Sequence, residues 1–136
     1  MDFFVFISEQ WLLVSLLVIL LYAFALNERR NAGIPASVHE VTRLINSQGA
    51  RVLDVRDCGD YDAGHIVDAL HIPHGEVAGR LNELASMKDK PLIVADKMGQ
   101  HAGAVGRALK REGFSVRRLQ GGMTEWSTQN LPLVKS

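Results

Sequence analysis

The pattern of apolar and polar positions divides the chain near Asn27. Residues 11–26 read W-L-L-V-S-L-L-V-I-L-L-Y-A-F-A-L, and Ser15 alone interrupts an apolar surface on every side of a helix. Without a polar face, the segment is not suited to lie along a membrane surface. At the usual helical rise it spans about 24 Å, short of a hydrocarbon core of ~30 Å. The run Phe3–Ile7 is expected to make up the difference, with Glu9 and Gln10 near one interface and Trp11 as an aromatic anchor. A buried core helix is disfavoured, because a domain of about 100 residues has little need of a helix apolar all round. A cleaved signal peptide has Ala23-Phe24-Ala25 in its favour. Against it stand an n-region without Lys or Arg and the pair Arg29-Arg30 directly after that site. The preferred reading is a retained transmembrane anchor over residues 1–27, with its core at 11–26. The positive-inside rule then places Arg29, Arg30 and all that follows in the cytoplasm and the N-terminus outside. The expected location is a bacterial inner (cytoplasmic) membrane, crossed once, with the lipid bilayer as partner of the N-terminal helix.

Residues 28–36 form a polar linker with Gly33 and Pro35 as breakers. After it the period changes. Ser37 with Glu40 three residues on predicts a capping box, Val38, Val41, Leu44 and Ile45 an apolar stripe, and Gly49 the helix end. Arg51–Val55 and Ala69–Ile72 are short apolar runs of buried-strand type. Glu76–Met87 carries Val77, Leu81, Leu84 and Ala85 at helical spacing, and Pro91–Ala95 reads as a central strand. Ala102–Glu112 predicts a helix ended by Gly113, Ser115–Leu119 a strand and Met123–Gln129 a last short helix. This alternation predicts one α/β domain over 37–134, with a mainly parallel sheet covered by helices on both faces.

Composition narrows the chemistry. The formal net charge is zero, and all 15 Lys and Arg lie beyond residue 28. Against them stand 13 acidic groups beyond Asn27, a balance too even to point to nucleic acid. A single cysteine, Cys58, excludes an intrachain disulfide. The glycines at 99, 103 and 106 match neither phosphate-loop pattern, and no Lys-Ser/Thr follows them. No cofactor is expected.

Three segments carry a resemblance. The first is V-L-D-V-R at 52–56, followed by Asp60-Tyr61, G-H-I at 64–66, Ala69 and Ile72-Pro73. The second is the strand–loop–helix from Pro91 to Gly113-Phe114, and the third is L-Q-G-G-M-T-E-W at 119–126. Together, in this order and spacing, they resemble the rhodanese family over about residues 37–134, most closely its small, membrane-anchored bacterial YibN-type members. The resemblance implies an α/β sulfurtransferase fold in which a cysteine ends the central strand and opens a six-residue loop leading into a helix. Such a loop converges backbone N–H groups on an anion and lowers a thiol's pKa.

In this sequence the loop is Asp96-Lys97-Met98-Gly99-Gln100-His101, and Asp96 stands at the cysteine position. A carboxylate carries no persulfide, and His101 stands near the end where the family has an arginine. The resemblance therefore implies a pseudoenzyme without catalytic residues, a membrane-tethered module binding a protein partner or a small anion. Asp96 itself is expected to accept N–H bonds from the loop around Gly99 and Gln100. The alternative is a sulfurtransferase, persulfide carrier or redox sensor using Cys58, but the nearby Asp57, Asp60 and Asp62 disfavour a thiolate.

Other candidates have a plainer counterpart. His71 and His74 are spaced H-x-x-H, with His65 and His101 also available, yet a metal needs more ligands in a tighter cluster, so no metal is expected. Asp54 and Arg56 admit a reading as acid and base; the preferred reading has them satisfy backbone groups and a nearby carboxylate, Asp60 or Asp62. Arg107, Lys110, Arg111, Arg117 and Arg118 form a basic cluster suited to anionic headgroups or, more plainly, to a solvated face.

Overall fold

The computed structural model of the chain describes residues 3–31 and 33–135. The chain forms two compact units, Met1–Arg30 and Asn31–Ser136.

The first unit holds α1 (Phe3–Glu9) and α2 (Trp11–Asn31). Among the described residues no single helix is long and apolar enough to cross a membrane. Helix α1 together with α2 up to Asn27 passes that test by length and composition, but the pair is bent by 74°. The straight continuation expected of Phe3–Ile7 is therefore not what forms. Helix α2 also runs to Asn31, through the first residues of the expected linker. The side chains of Arg29 and Arg30, on which the topology expectation rests, lie outside the described residues, as does Asp2.

The second unit runs β1 (Ile34–Ala36), α3 (Val38–Gln48), β2 (Arg51–Asp54), α4 (Cys58–Ala63), β3 (Leu70–His71), two 3-10 turns (Val77–Gly79 and Leu81–Met87), β4 (Leu92–Ala95), α5 (Ala102–Arg111), β5 (Val116–Leu119) and α6 (Gly122–Thr128). The five strands make one sheet in the order β1-β5-β4-β2-β3, every pairing parallel. Alternate strand residues point to opposite faces. Val52 and Ile93 pack with Val41, Leu44, Met123 and Trp126 on one side. Leu53 and Val94 pack with Leu84, Val105, Leu109 and Phe114 on the other. All four residues of β4 are buried, as a central strand covered on both faces requires.

Local signals place most boundaries. Ser37 caps α3 by accepting the Glu40 N–H at 3.2 Å, and Gly49 closes the helix in the left-handed region at φ 65°. The reciprocal half of the capping box is not what Glu40 makes: its carboxylate pairs with Arg117 at 3.0 Å. Glu76–Met87 is not one helix. Arg80, at φ −125° and ψ 24°, leaves the helical region after Gly79, and the two 3-10 turns close with i→i+3 bonds such as Glu83 N–H to Arg80 O at 3.1 Å. Strand β1 lies where a linker was expected. Arg117 and Arg118 donate to the carbonyls of Ile34, Pro35 and Gly33, which joins this segment to β5. Two members of the expected basic cluster thus hold the edge of the sheet.

Candidate functional site

Strand β4 delivers Asp96 to the C-terminal edge of the sheet, where parallel α/β folds gather their sites. The Asp96 residue is 2% exposed. Its Oδ1 accepts the N–H of Gly99, and its Oδ2 accepts those of His101 at 2.6 Å and Ala102 at 3.1 Å. Gly99 sits at φ 100°, in the left-handed region that favours glycine and turns its N–H inward. Ala102 opens α5, so the carboxylate lies on the positive end of that helix. The sequence expectation of an internal anion in the loop cradle holds in geometry, with one correction. His101 and Ala102 supply donors in place of Gln100, whose Oε1 instead accepts the Met98 N–H at 3.1 Å.

The back of the loop is held by the second glycine of L-Q-G-G. The N–H groups of Met123 and Thr124 donate to the carbonyls of Asp96 and Lys97 at 2.7 and 3.0 Å, and the Thr124 hydroxyl adds a bond to Lys97 O at 2.9 Å. A Cβ at Gly122 would lie 2.6 Å from Asp96 O and 2.7 Å from Lys97 O, so no side chain fits at that contact. The tryptophan of the same motif, Trp126, is buried and donates from Nε1 to Pro132 O at 3.2 Å. The motif is a brace for the loop.

A cavity of about 140 Å3 opens over Asp96. Val55, Arg56, Asp57, Asp60, His74, Lys97, Gln100 and His101 complete its lining. His74 and His101 stack face to face, centroids 3.7 Å apart and planes within 4°. Cys58 is exposed and is not part of this lining.

The remaining candidates separate into supports. Asp54 is buried and pairs with Arg56 through two-pronged contacts, Nε to Oδ1 at 2.9 Å and a terminal N–H to Oδ2 at 2.7 Å. Arg56 also donates to Gly64 O at 2.8 Å, which ties β2 to the G-H-I segment. Its carboxylate partner is thus Asp54, not the expected Asp60 or Asp62, because two residues along the strand end place both prongs within reach. His71 and His74 do not converge. His71 stacks on Tyr61 at 4.2 Å with Nε2 2.8 Å from Arg56 O, while His65 stacks on the other side of that ring at 3.8 Å. Burial first, then the charges of Asp54 and Asp62, push the Tyr61 phenol above its ordinary value against the opposing effect of Arg56. The phenol accordingly stays a donor, to Ala69 O at 3.1 Å. Among the described residues no group of three or more His, Cys, Asp or Glu could hold a metal ion.

The sequence reading did not find β1, α4 or the His74–His101 stack. Helix α4, C-G-D-Y-D-A, buries none of its residues and so has no apolar stripe to read. The stack joins residues distant in sequence, which no spacing rule reaches.

Comparison with known proteins agrees with this architecture. The profile of the rhodanese-like domain matches residues 37–129. The uncharacterized protein YibN of Escherichia coli K12 is 40% identical over 98 residues, 71% of this chain and 68% of that protein. The thiosulfate sulfurtransferase GlpE of Pseudomonas fluorescens is 37% identical over 90 residues, 65% of this chain and 81% of that protein. Among solved structures, a rhodanese-related protein of Thermoplasma volcanium superposes with a TM-score of 0.69 at 23% identity, covering 76% of this chain and 99% of its own. Its likeness bears on the fold alone. With the sheet, the braced loop and the sequence matches in agreement, the chain belongs to the rhodanese-like domain family.

Proposed function

We propose that this chain is a membrane-tethered rhodanese-like module that has lost sulfur transfer and serves to bind a protein partner. The observation that carries the reading is the Asp96 carboxylate seated in the loop cradle, where the family resemblance puts a persulfide-forming cysteine. Three N–H donors are already committed to it, so the cradle has little left to offer an external anion. That favours the protein-binding form of the expectation over the small-anion form. Around the loop, the Asp96 cavity and a neighbouring hollow of about 430 Å3 share Arg56, Asp60 and Lys97. Met98, 59% exposed, stands on the loop between Lys97 and Gly99 as an apolar contact. A mixed apolar and charged face of this kind suits a transient protein contact.

The test is a thiosulfate:cyanide sulfurtransferase assay on the purified chain and its Cys58→Ser variant. No turnover above background is expected from either. Turnover that disappears in Cys58→Ser would replace this reading with that of a sulfurtransferase working through Cys58, the activity named for GlpE. Crosslinking in intact membranes, followed by mass spectrometry, identifies the partner.

The tether lies within residues 1–27 with α2 as its membrane anchor, and the proposed orientation puts the domain in the cytoplasm, since Arg29 and Arg30 follow the apolar run and residues 1–10 hold no Lys or Arg. Protease added to spheroplasts is expected to leave residues 31–136 intact. Digestion of the domain from outside would reverse the orientation.

A further inference from the structure

We infer that α1 does not extend the membrane span but lies in the plane of the bilayer interface, as an apolar foot on the N-terminal side of α2. The inference rests on the proposal that α2 is a membrane anchor. Its first support is the 74° bend between α1 and α2. With α2 upright, α1 lies roughly 16° off the membrane plane, and its seven residues rise only about 3 Å along the α2 axis instead of ~10 Å. It therefore cannot supply the length that α2 lacks.

The second support is the chemistry at the bend. The sequence there is Ser8-Glu9-Gln10-Trp11. A helix start leaves backbone N–H groups without intrahelical partners, and hydrocarbon offers them none. A carboxylate, an amide and an indole at the same point belong at headgroup level. With the bend held there, the 74° angle directs α1 along the interface.

The third support is the girth of α1. Phe3, Phe4, Val5, Phe6 and Ile7 are each between 39% and 78% exposed, and none of the helix is buried. A helix that docks in a protein groove presents one stripe, with anchors at i, i+3, i+4 and i+7. Five consecutive apolar residues cover every side, which offers no stripe for such a groove and sets α1 on the acyl side of the interface, just beneath the headgroups, with Ser8, Glu9 and Gln10 dividing it from the apolar surface of α2.

The test uses the full chain in a Cys58→Ser background, in vesicles of phosphatidylcholine and phosphatidylglycerol. Nitroxide labels are placed through Phe4→Cys, Ile7→Cys, Gln10→Cys and Leu17→Cys, one at a time. Depth is read from collision with oxygen and with a water-soluble nickel chelate. The expected result is a deep label at position 17, a headgroup-level label at position 10, and equal shallow depths at positions 4 and 7, which share a helix face. A label at position 10 within the hydrocarbon, with depth changing by ~1.5 Å per residue from there to position 4, overturns the foot and leaves the anchor standing. Full access of the nickel chelate to position 17 overturns both.

Discussion

Replacing Arg56 with alanine is expected to destabilise the domain by about 3–5 kcal/mol, the scale for removing one partner of a buried ion pair. Asp54 is fully buried, and only 10% of the Arg56 side chain is exposed. The guanidinium supplies both close contacts to the carboxylate side-on, leaving the Arg56 backbone N–H at 3.1 Å as the donor that survives the substitution. Gly64 O loses its 2.8 Å donor in the same step. The double variant Asp54→Leu/Arg56→Leu removes the charge along with its partner, so its loss should be smaller than that of Arg56→Ala alone. Urea unfolding of the three proteins measures this. If Arg56→Ala unfolds at the wild-type midpoint, the pair is not a support, and the acid–base reading of these residues regains its standing.

Asp96→Ala is expected to cost about 1–3 kcal/mol, through the loop N–H groups it leaves without their carboxylate acceptor. Gly99, His101 and Ala102 all face that carboxylate. Asparagine should recover only part of the loss, because its amide can present an oxygen to one side of the cradle but must turn its NH2 toward donors on the other. Cysteine at this position should regain an activity. The cradle favours a thiolate, which can attack the sulfane sulfur of thiosulfate, take it as a persulfide and release sulfite. The Asp96→Cys protein, incubated with thiosulfate, should gain the mass of one sulfur while the wild type does not. An Asp96→Ala protein as stable as wild type, whose loop amides exchange no faster, would remove the internal anion from the account of this site.

What could be read in advance follows from the range of each interaction. Strands β4 and β5 and helices α3, α5 and α6 were legible because their signals are local: an apolar run, a stripe at helical period, Ser37 at one end of α3 and Gly49 at the other. The cradle was legible for a different reason, since loop and helix start are contiguous in sequence. Even there the donors were displaced by one or two positions, to His101 and Ala102, where the loop runs into α5. Strand β1 carries no period of its own in three residues with a proline at the centre, and exists through Arg117, Arg118 and its register with β5. The stacked His74 and His101 sit on separate loops, and only the sheet brings those loops together. The partner of Arg56 was misjudged because Asp54, two positions back along the strand end and so on the same side of it, was passed over for the carboxylates of the segment that follows.

The pairing of β1 with β5 also sets a timetable for synthesis. Ile34 and Arg117 are 83 positions apart, and among the described residues β5 is the strand that pairs with β1. At a translation rate of about 5–20 residues per second, β1 is synthesised roughly 4–17 s before its partner. During that interval its backbone donors and acceptors are unclaimed, which is the state in which a strand recruits the wrong chain. Three residues with Pro35 at the middle make a poor template for such capture, since proline has no N–H to offer a ladder. The proline that hides the strand from a reading of the sequence thus protects the nascent chain from its neighbours until β5 arrives.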